Sequence, residues 1–339
     1  MDHHQKVIRA GAAALILAIS LRLFGGGILN PLAAVLQKTA VQSFLIYLQT
    51  GRVVRQPQPQ PALPEQTTPP TETTIPTIPQ ATRPETLQKP VFSEEDLGLV
   101  SMLYRCDYRP ELEPLITAPL NWDLTGQAPT VLIIHTHATE SYTKSPGEDY
   151  EETVTYRTLD EHYNMVSIGA EVARVLTAGG LSVLHDGGYH DYPSYNGSYG
   201  NARVTIEEYL RQYPSIQLVL DIHRDASDGS DGSQLSTSAT VGGQPSSQLL
   251  VMVGTDAQGN YHPNWQKNLS LALKLTAQLE RADPGVTRPV TLRGERFNTD
   301  LTAGSLLIEV GAAGDTHDQA LLAANALARG ILALAKGTQ

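Results

Sequence analysis

The chain has 339 residues, enough for one large domain or two small ones, and its hydrophobic fraction of 41% supports a real core. A net charge of −11 excludes nucleic acid as a partner, because backbone binding needs a basic face. The single cysteine, Cys106, excludes an internal disulfide and a cysteine zinc cluster, so any metal must be held by His, Asp or Glu.

Residues 1–30 read as a membrane anchor. Ala10 to Leu29 is apolar apart from Arg22 and a few small residues, and Lys6 and Arg9 precede it. A cleaved signal peptide is the rival reading, but no small-x-small cleavage site follows the apolar run. Within residues 31–55 a second apolar stretch, Pro31 to Leu48, is interrupted by Gln37, Lys38 and Gln42, which suits an amphipathic juxtamembrane segment. Residues 56–90 are rich in Pro, Thr, Gln and Glu and contain no aromatic residue, as expected of an extended spacer. Residues 91–130 form a transition, in which Phe92, Leu97, Leu99, Val100, Leu103 and Tyr104 suggest a short helix packed on the domain.

A catalytic α/β domain is expected over 131–336. Strand Val131 to Ile134 leads through a polar loop to a helix from about Asp160 to Thr177, stopped by Gly179-Gly180. Strand Leu181 to Leu184 and a helix from about Ala202 to Gln212 follow. Then come strands Gln217 to Ile222 and Leu249 to Val253. A helix from about Pro263 to Arg281, strand Ser305 to Val310 and a helix from Asp318 to Leu334 complete it. Strands alternating with helices predict a single three-layer domain with a mostly parallel sheet.

Three apolar strands run into residues that can bind metal: Ile-Ile-His135-Thr-His137-Ala-Thr-Glu140, Val-Leu-Asp221-Ile-His223-Arg224-Asp225 and Leu-Leu-Ile-Glu309-Val-Gly311. Sites in open α/β sheets sit past the carboxyl ends of strands, so neighbouring strands would bring these groups together. Catalytic zinc commonly takes two His and one carboxylate and leaves a position for water. His135 and His137 are two apart and would share a face of an extended strand; both, or one, would be ligands. Glu140 is close enough to bind or to orient them. His223 is a ligand candidate whose other ring nitrogen Asp221 or Asp225 would hold, with Arg224 between them. Glu309, among apolar neighbours, is expected to have a raised pKa and to serve as general acid/base. Arg293 and Arg296 are candidates for clamping substrate carboxylates. His185-Asp186 and His190-Asp191 follow the second strand and could supply a further ligand, but read first as surface loop residues; Asp160 and Glu161 read as a helix start, and Asn196-Gly-Ser as an incidental sequon.

Several segments together resemble the stage II sporulation protein P family over roughly residues 92 to 336. They are His135-Thr-His-Ala-Thr-Glu-Ser-Tyr142, Tyr163-Asn-Met-Val-Ser-Ile-Gly169, Asp221-Ile-His-Arg-Asp225, Val251-Met-Val-Gly-Thr255, His262-Pro-Asn-Trp265, Leu292-Arg293 and Gly304-Ser-Leu-Leu-Ile-Glu-Val-Gly311. The resemblance implies a cell-wall hydrolase of endospore formers with an amidase-3-like fold, related to zinc-dependent N-acetylmuramoyl-L-alanine amidases. Such enzymes cut the amide between muramic acid and the stem peptide and are credited with endopeptidase action on cross-links. It also implies peptidoglycan as substrate, a role in engulfment with sporulation proteins D and M, and an extracytoplasmic domain on a single-pass anchor in the septal intermembrane space. His223 matches the second histidine ligand and Glu309 the catalytic Glu; the first histidine is His135 or His137. The family's ligand Glu begins the first helix, where this chain offers Asp160 or Glu161, with Glu140 as rival. A different metal-dependent hydrolase, or a non-catalytic wall-binding scaffold, are the alternatives.

Overall fold

The structure is a computed structural model that describes residues 89–228 and 233–336. The anchor and juxtamembrane segment expected over 1–55, and the spacer as far as residue 88, lie outside the described residues. Among the described residues no helix is long and apolar enough to cross a membrane.

The short helix expected before the domain is a 3-10 helix over Glu94–Leu99, and Leu103 and Tyr104, expected to belong to it, lie instead in strand β1 (Met102–Arg105). A brief helix α1 (Glu113–Thr117) leads to β2 (Val131–Ile134), whose four residues are all buried. A hairpin of β3 (Glu152–Val154) and β4 (Arg157–Thr158) precedes helix α2 (Met165–Ala178). Helix α2 starts five residues later than the acidic pair Asp160-Glu161 suggested. The Asn164 side chain accepts from the Val166 N–H and caps it there. Its end agrees with the Gly-Gly signal: Gly180 sits at φ 81, and the Leu181 N–H bonds back to Leu176 O.

Strand β5 (Val183–His185) is followed by α3 (Ser198–Gln212), then by β6 (Leu218–Asp225), which runs past the predicted end at Ile222. A small hairpin, β7 (Ala239–Val241) and β8 (Gln244–Ser246), comes before β9 (Leu249–Gly254) and α4 (Trp265–Ala282). The chain finishes with β10 (Val290–Arg293), β11 (Ser305–Ala312) and α5 (His317–Lys336).

Seven strands form one sheet in the order β1-β10-β9-β11-β6-β2-β5. Every neighbouring pair is parallel except β9–β11. The mostly parallel α/β architecture is therefore as expected from the sequence, with two parallel blocks meeting at one antiparallel seam. Side chains alternate across the sheet. Leu218, Leu220, Ile222, Leu306, Ile308 and Val310 enter the main core with α2, α4 and α5, while Leu132, Ile134 and Val219 form a smaller cluster with Ala202 and Ile206 of α3. Burying an aliphatic side chain of this kind contributes about 1.5–3 kcal/mol, so the first face carries most of the stability. The second, more lightly covered face is left for polar groups.

Candidate active site

Strands β11, β6 and β2 are adjacent and parallel, so the three polar strand segments do converge. Their register sets Ile134 opposite Asp221 and Glu309 opposite His223. Asp221 and His223 keep step with Val219, and Glu309 with Leu307, so all three point to the face that bears α3. His223 and Glu309 thus lie within their strands; only the His135–Glu140 segment lies past a strand end.

That segment is a turn, and this corrects the expectation that His135 and His137 share a face. The extended backbone stops at Ile134. His135 is fully buried with Nδ1 2.9 Å from Ile222 O and Nε2 2.9 Å from His185 Nε2. Burial lowers its pKa to about 3, so the ring is neutral. A neutral ring that donates through Nδ1 to a carbonyl accepts at Nε2, which makes His185 the donor of the second bond. Both nitrogens of His135 are committed. Gly169 of α2 makes this possible: a Cβ there would lie 2.4 Å from His135 Nε2 and 2.6 Å from His185 Nε2.

His137 turns the other way. Its ring meets His223 edge-on at 5.2 Å and stacks on Tyr195 at 4.5 Å, and its buried Nδ1 has no hydrogen-bond partner. Burial lowers its pKa to about 4. His223 lies between two carboxylates, with Nδ1 3.6 Å from Glu140 Oε2 and Nε2 2.9 Å from Asp221 Oδ1, the latter off the line of a good hydrogen bond. Burial opposes its charged form, but Asp221 and Glu140 outweigh burial and hold its pKa well above the usual range. Asp221 is itself fixed by the Thr136 N–H at 2.8 Å and hydroxyl at 2.6 Å. Burial of Glu140 is likewise outweighed, chiefly by Arg224, which keeps its carboxyl well below the usual range. The Arg224 guanidinium also donates to Ser141 O and Tyr156 O, locking the turn after β2.

Glu309 completes the group. It is 7% exposed, its Oε2 has no hydrogen-bond partner, and burial raises its pKa to about 8. This is the raised carboxyl expected from its apolar neighbours.

The other sequence candidates are placed as follows. Asp225 pairs with Arg288 at 2.7 Å, so of the two flanking aspartates it is Asp221 that faces His223. Glu161 is exposed on the turn before α2, and Asp160 bonds His162. Arg293 makes a two-point pair with Glu295, and Arg296 lies 3.3 Å from Asp300, so each would have to exchange a partner to hold a substrate carboxylate. His190 and Asp191 are buried, not surface loop residues: His190 Nδ1 donates to His135 O, and Asp191 accepts from Thr139 and Arg157.

Sequence reasoning missed Arg157, Tyr195 and Tyr199, and gave Asp191 a place on the surface. Tyr199, from the first turn of α3, meets His137 edge-on at 5.5 Å and lies parallel to His223 at 6.4 Å. Its carbonyl accepts from Asn298, which holds a left-handed φ of 59. The available signal was a loop dense in Tyr, His and Asp directly after a strand.

Among the described residues no three His, Cys, Asp or Glu side chains already stand as a closed ligand group. The chemistry of the set nonetheless fits a divalent ion. An unpartnered imidazole nitrogen on His137, a second imidazole in His223, an ionised Glu140 and an unpartnered oxygen on Glu309 are buried together. Buried groups of this kind are costly unless something satisfies them.

Comparison with known proteins agrees with the resemblance. A curated relative, stage II sporulation protein P of Bacillus subtilis (strain 168), is 27% identical over 220 residues, which are 60% of this chain and 50% of the relative. The match thus spans about half the length of that protein. Among solved structures, N-acetylmuramoyl-L-alanine amidase AmiC2 of Nostoc punctiforme is 16% identical with a TM-score of 0.37, over 61% of this chain and 97% of that one. Ami1 from Mycobacterium smegmatis is 15% identical with a TM-score of 0.38, over 63% and 98%. The profile of the stage II sporulation protein P family matches residues 54–332. The chain is a member of the stage II sporulation protein P family.

Proposed function

We propose that the chain is a zinc-dependent peptidoglycan hydrolase that cleaves the N-acetylmuramoyl-L-alanine amide bond during sporulation. The observation that carries the reading is the convergence of His137 and Glu140, on the turn after β2, with His223 and Glu309 on the adjoining strands, each buried and three of them with an unpartnered atom. Zinc would be held by His137, His223 and Glu140; His135 is not in the set, because both its nitrogens are committed. Bound zinc supplies a Lewis acid and a water of lowered pKa. Asp221 beside Nε2 orients the His223 ring so that Nδ1 faces Glu140. Glu309 takes the proton of the attacking water and passes it to the amide nitrogen as the C–N bond breaks. Family membership supports the wall as substrate. Membrane tethering through residues 1–30, an extracytoplasmic site, cross-link cleavage and cooperation with sporulation proteins D and M belong to the same proposal.

A non-catalytic scaffold accounts poorly for Glu309. A buried carboxyl with an unpartnered oxygen destabilises the fold and gives a scaffold nothing in return. The test is dye release from labelled peptidoglycan by the full chain, with and without a chelator, and by His223→Ala. Release should stop in both cases and return to the chelated wild type on adding zinc. Release that survives chelation and His223→Ala together overturns the metal mechanism.

A further inference from the structure

Arg157 reaches the candidate site from an unexpected place. It lies on β4, a two-residue strand of a hairpin whose other strand, β3, is wholly exposed. The hairpin is pinned to the turn after β2 by Thr158 N–H to Thr139 O at 2.8 Å and Ser141 N–H to Tyr156 O at 3.0 Å. Tyr156 holds a left-handed φ of 57, a costly conformation for a bulky residue. The backbone is thus bent, and kept bent, in a way that returns Arg157 inward.

The guanidinium makes three hydrogen bonds once inside. Nη1 donates to Asp191 Oδ2 at 2.8 Å and to Thr139 Oγ1 at 3.1 Å, Nη2 donates to Glu140 Oε1 at 3.2 Å, and the plane lies 4.8 Å from the Tyr195 ring centre. Tyr195 in turn stacks on His137. The two oxygens of Glu140 are therefore divided. Oε1 faces the guanidinium groups of Arg157 and, at 3.5 Å, Arg224. Oε2 accepts from the Arg224 N–H at 3.3 Å and faces His223 Nδ1 at 3.6 Å. Behind Arg157, the Asp191 side chain is fully buried, with the Thr139 hydroxyl also donating to it. The result is a carboxylate–guanidinium–carboxylate chain, anchored at Asp191 and ending on the candidate ligand. An ion pair kept only for stability gives a poor return, because desolvation offsets most of the attraction. A planar two-sided donor is, however, the group best suited to fix a carboxylate in one rotation.

We propose that Arg157, backed by Asp191, is a positioning residue that turns Glu140 so that Oε1 is committed to guanidinium and Oε2 alone is presented to His223 and a bound cation. This rests on the zinc reading above. The supporting groups around metal ligands are typically worth about 10–100-fold in metal affinity.

The test uses the full chain loaded with zinc, and with cobalt(II) as a spectroscopic substitute. Zinc affinity is measured by chelator competition for the wild type, Arg157→Ala, Arg157→Lys and Asp191→Asn. Arg157→Ala should weaken zinc binding by about 10–100-fold and change the cobalt visible spectrum, and added guanidinium ion should restore part of both. Arg157→Lys should fall between, because an ammonium offers no planar fork. Asp191→Asn keeps the side-chain volume and should weaken zinc in the same direction by a smaller factor, which serves if Arg157→Ala does not fold. Variants that lose stability but keep the wild-type zinc affinity and cobalt spectrum overturn the positioning role alone. A wild type that takes up no zinc overturns the metal reading and this inference together.

Discussion

Gly169→Ala is an informative perturbation because two opposing effects can be sized. Within a helix, Ala in place of Gly gains up to about 1 kcal/mol. At this position the new methyl group would lie 2.4 Å from His135 Nε2, where ordinary contact begins near 3.4 Å. The ring must retreat by about 1 Å. It has nowhere to go: it is fully buried and tied to Ile222 O on one side and His185 on the other. Overpacking of this kind costs about 1–3 kcal/mol, and loss of a buried hydrogen bond about 1–3 kcal/mol more. The clash should win, with a net loss of about 3 kcal/mol. Urea denaturation read by circular dichroism measures it, through a lower midpoint at unchanged slope. In the double variant with His185→Ala, His135 can swing into the space vacated, and the penalty should shrink by at least about 1 kcal/mol. A Gly169→Ala protein that is more stable by the full helix gain would refute the close packing of this histidine pair.

Other expectations concern chemistry and charge. Glu309→Gln should retain stoichiometric zinc by elemental analysis but lose turnover by about 10²–10⁴-fold, the usual weight of a general acid/base; loss of zinc would make Glu309 a ligand instead. His137→Ala should lose zinc, whereas His135→Asn should keep it, by the same elemental assay. Lys274 is 1% exposed and burial lowers its pKa to about 8, below its value of 10.5 in an open chain. Its charge therefore costs stability in full below pH 8, and that cost is relieved as the pH rises toward 10.5. Stability of the wild type relative to Lys274→Met should rise by up to about 3 kcal/mol over that window, measured by urea midpoints; a flat difference would contradict the burial effect.

The central strands were legible because β2, β6 and β11 are buried on both faces and read as apolar runs. β1 and β10 were missed because Met-Leu-Tyr-Arg and Val-Thr-Leu-Arg end in a charge and lack such a run. The exposed strand β3 carries no burial signal at all. Asp160-Glu161 suggested a helix start, but Asn164 provides the cap, and propensity alone could not rank the two. Convergence of His223 and Glu309 followed from strand logic. The parting of His135 from His137 did not: the strand end at Ile134 was anticipated, but the tight turn that follows it, which sends the two rings apart, leaves no mark in the residue pattern. The roles of Arg157 and Asp191 were invisible for a different reason: each gains its meaning only from a partner 17 or more positions away.

Three residues other than glycine, Tyr156, Phe297 and Asn298, hold left-handed backbone, and all three lie against the candidate site. Each such conformation costs on the order of 1–3 kcal/mol. Thermostability is therefore cheapest to improve where activity is most exposed to harm. Laboratory evolution that rewards heat resistance alone should collect glycines at these positions and drift toward robust, idle proteins.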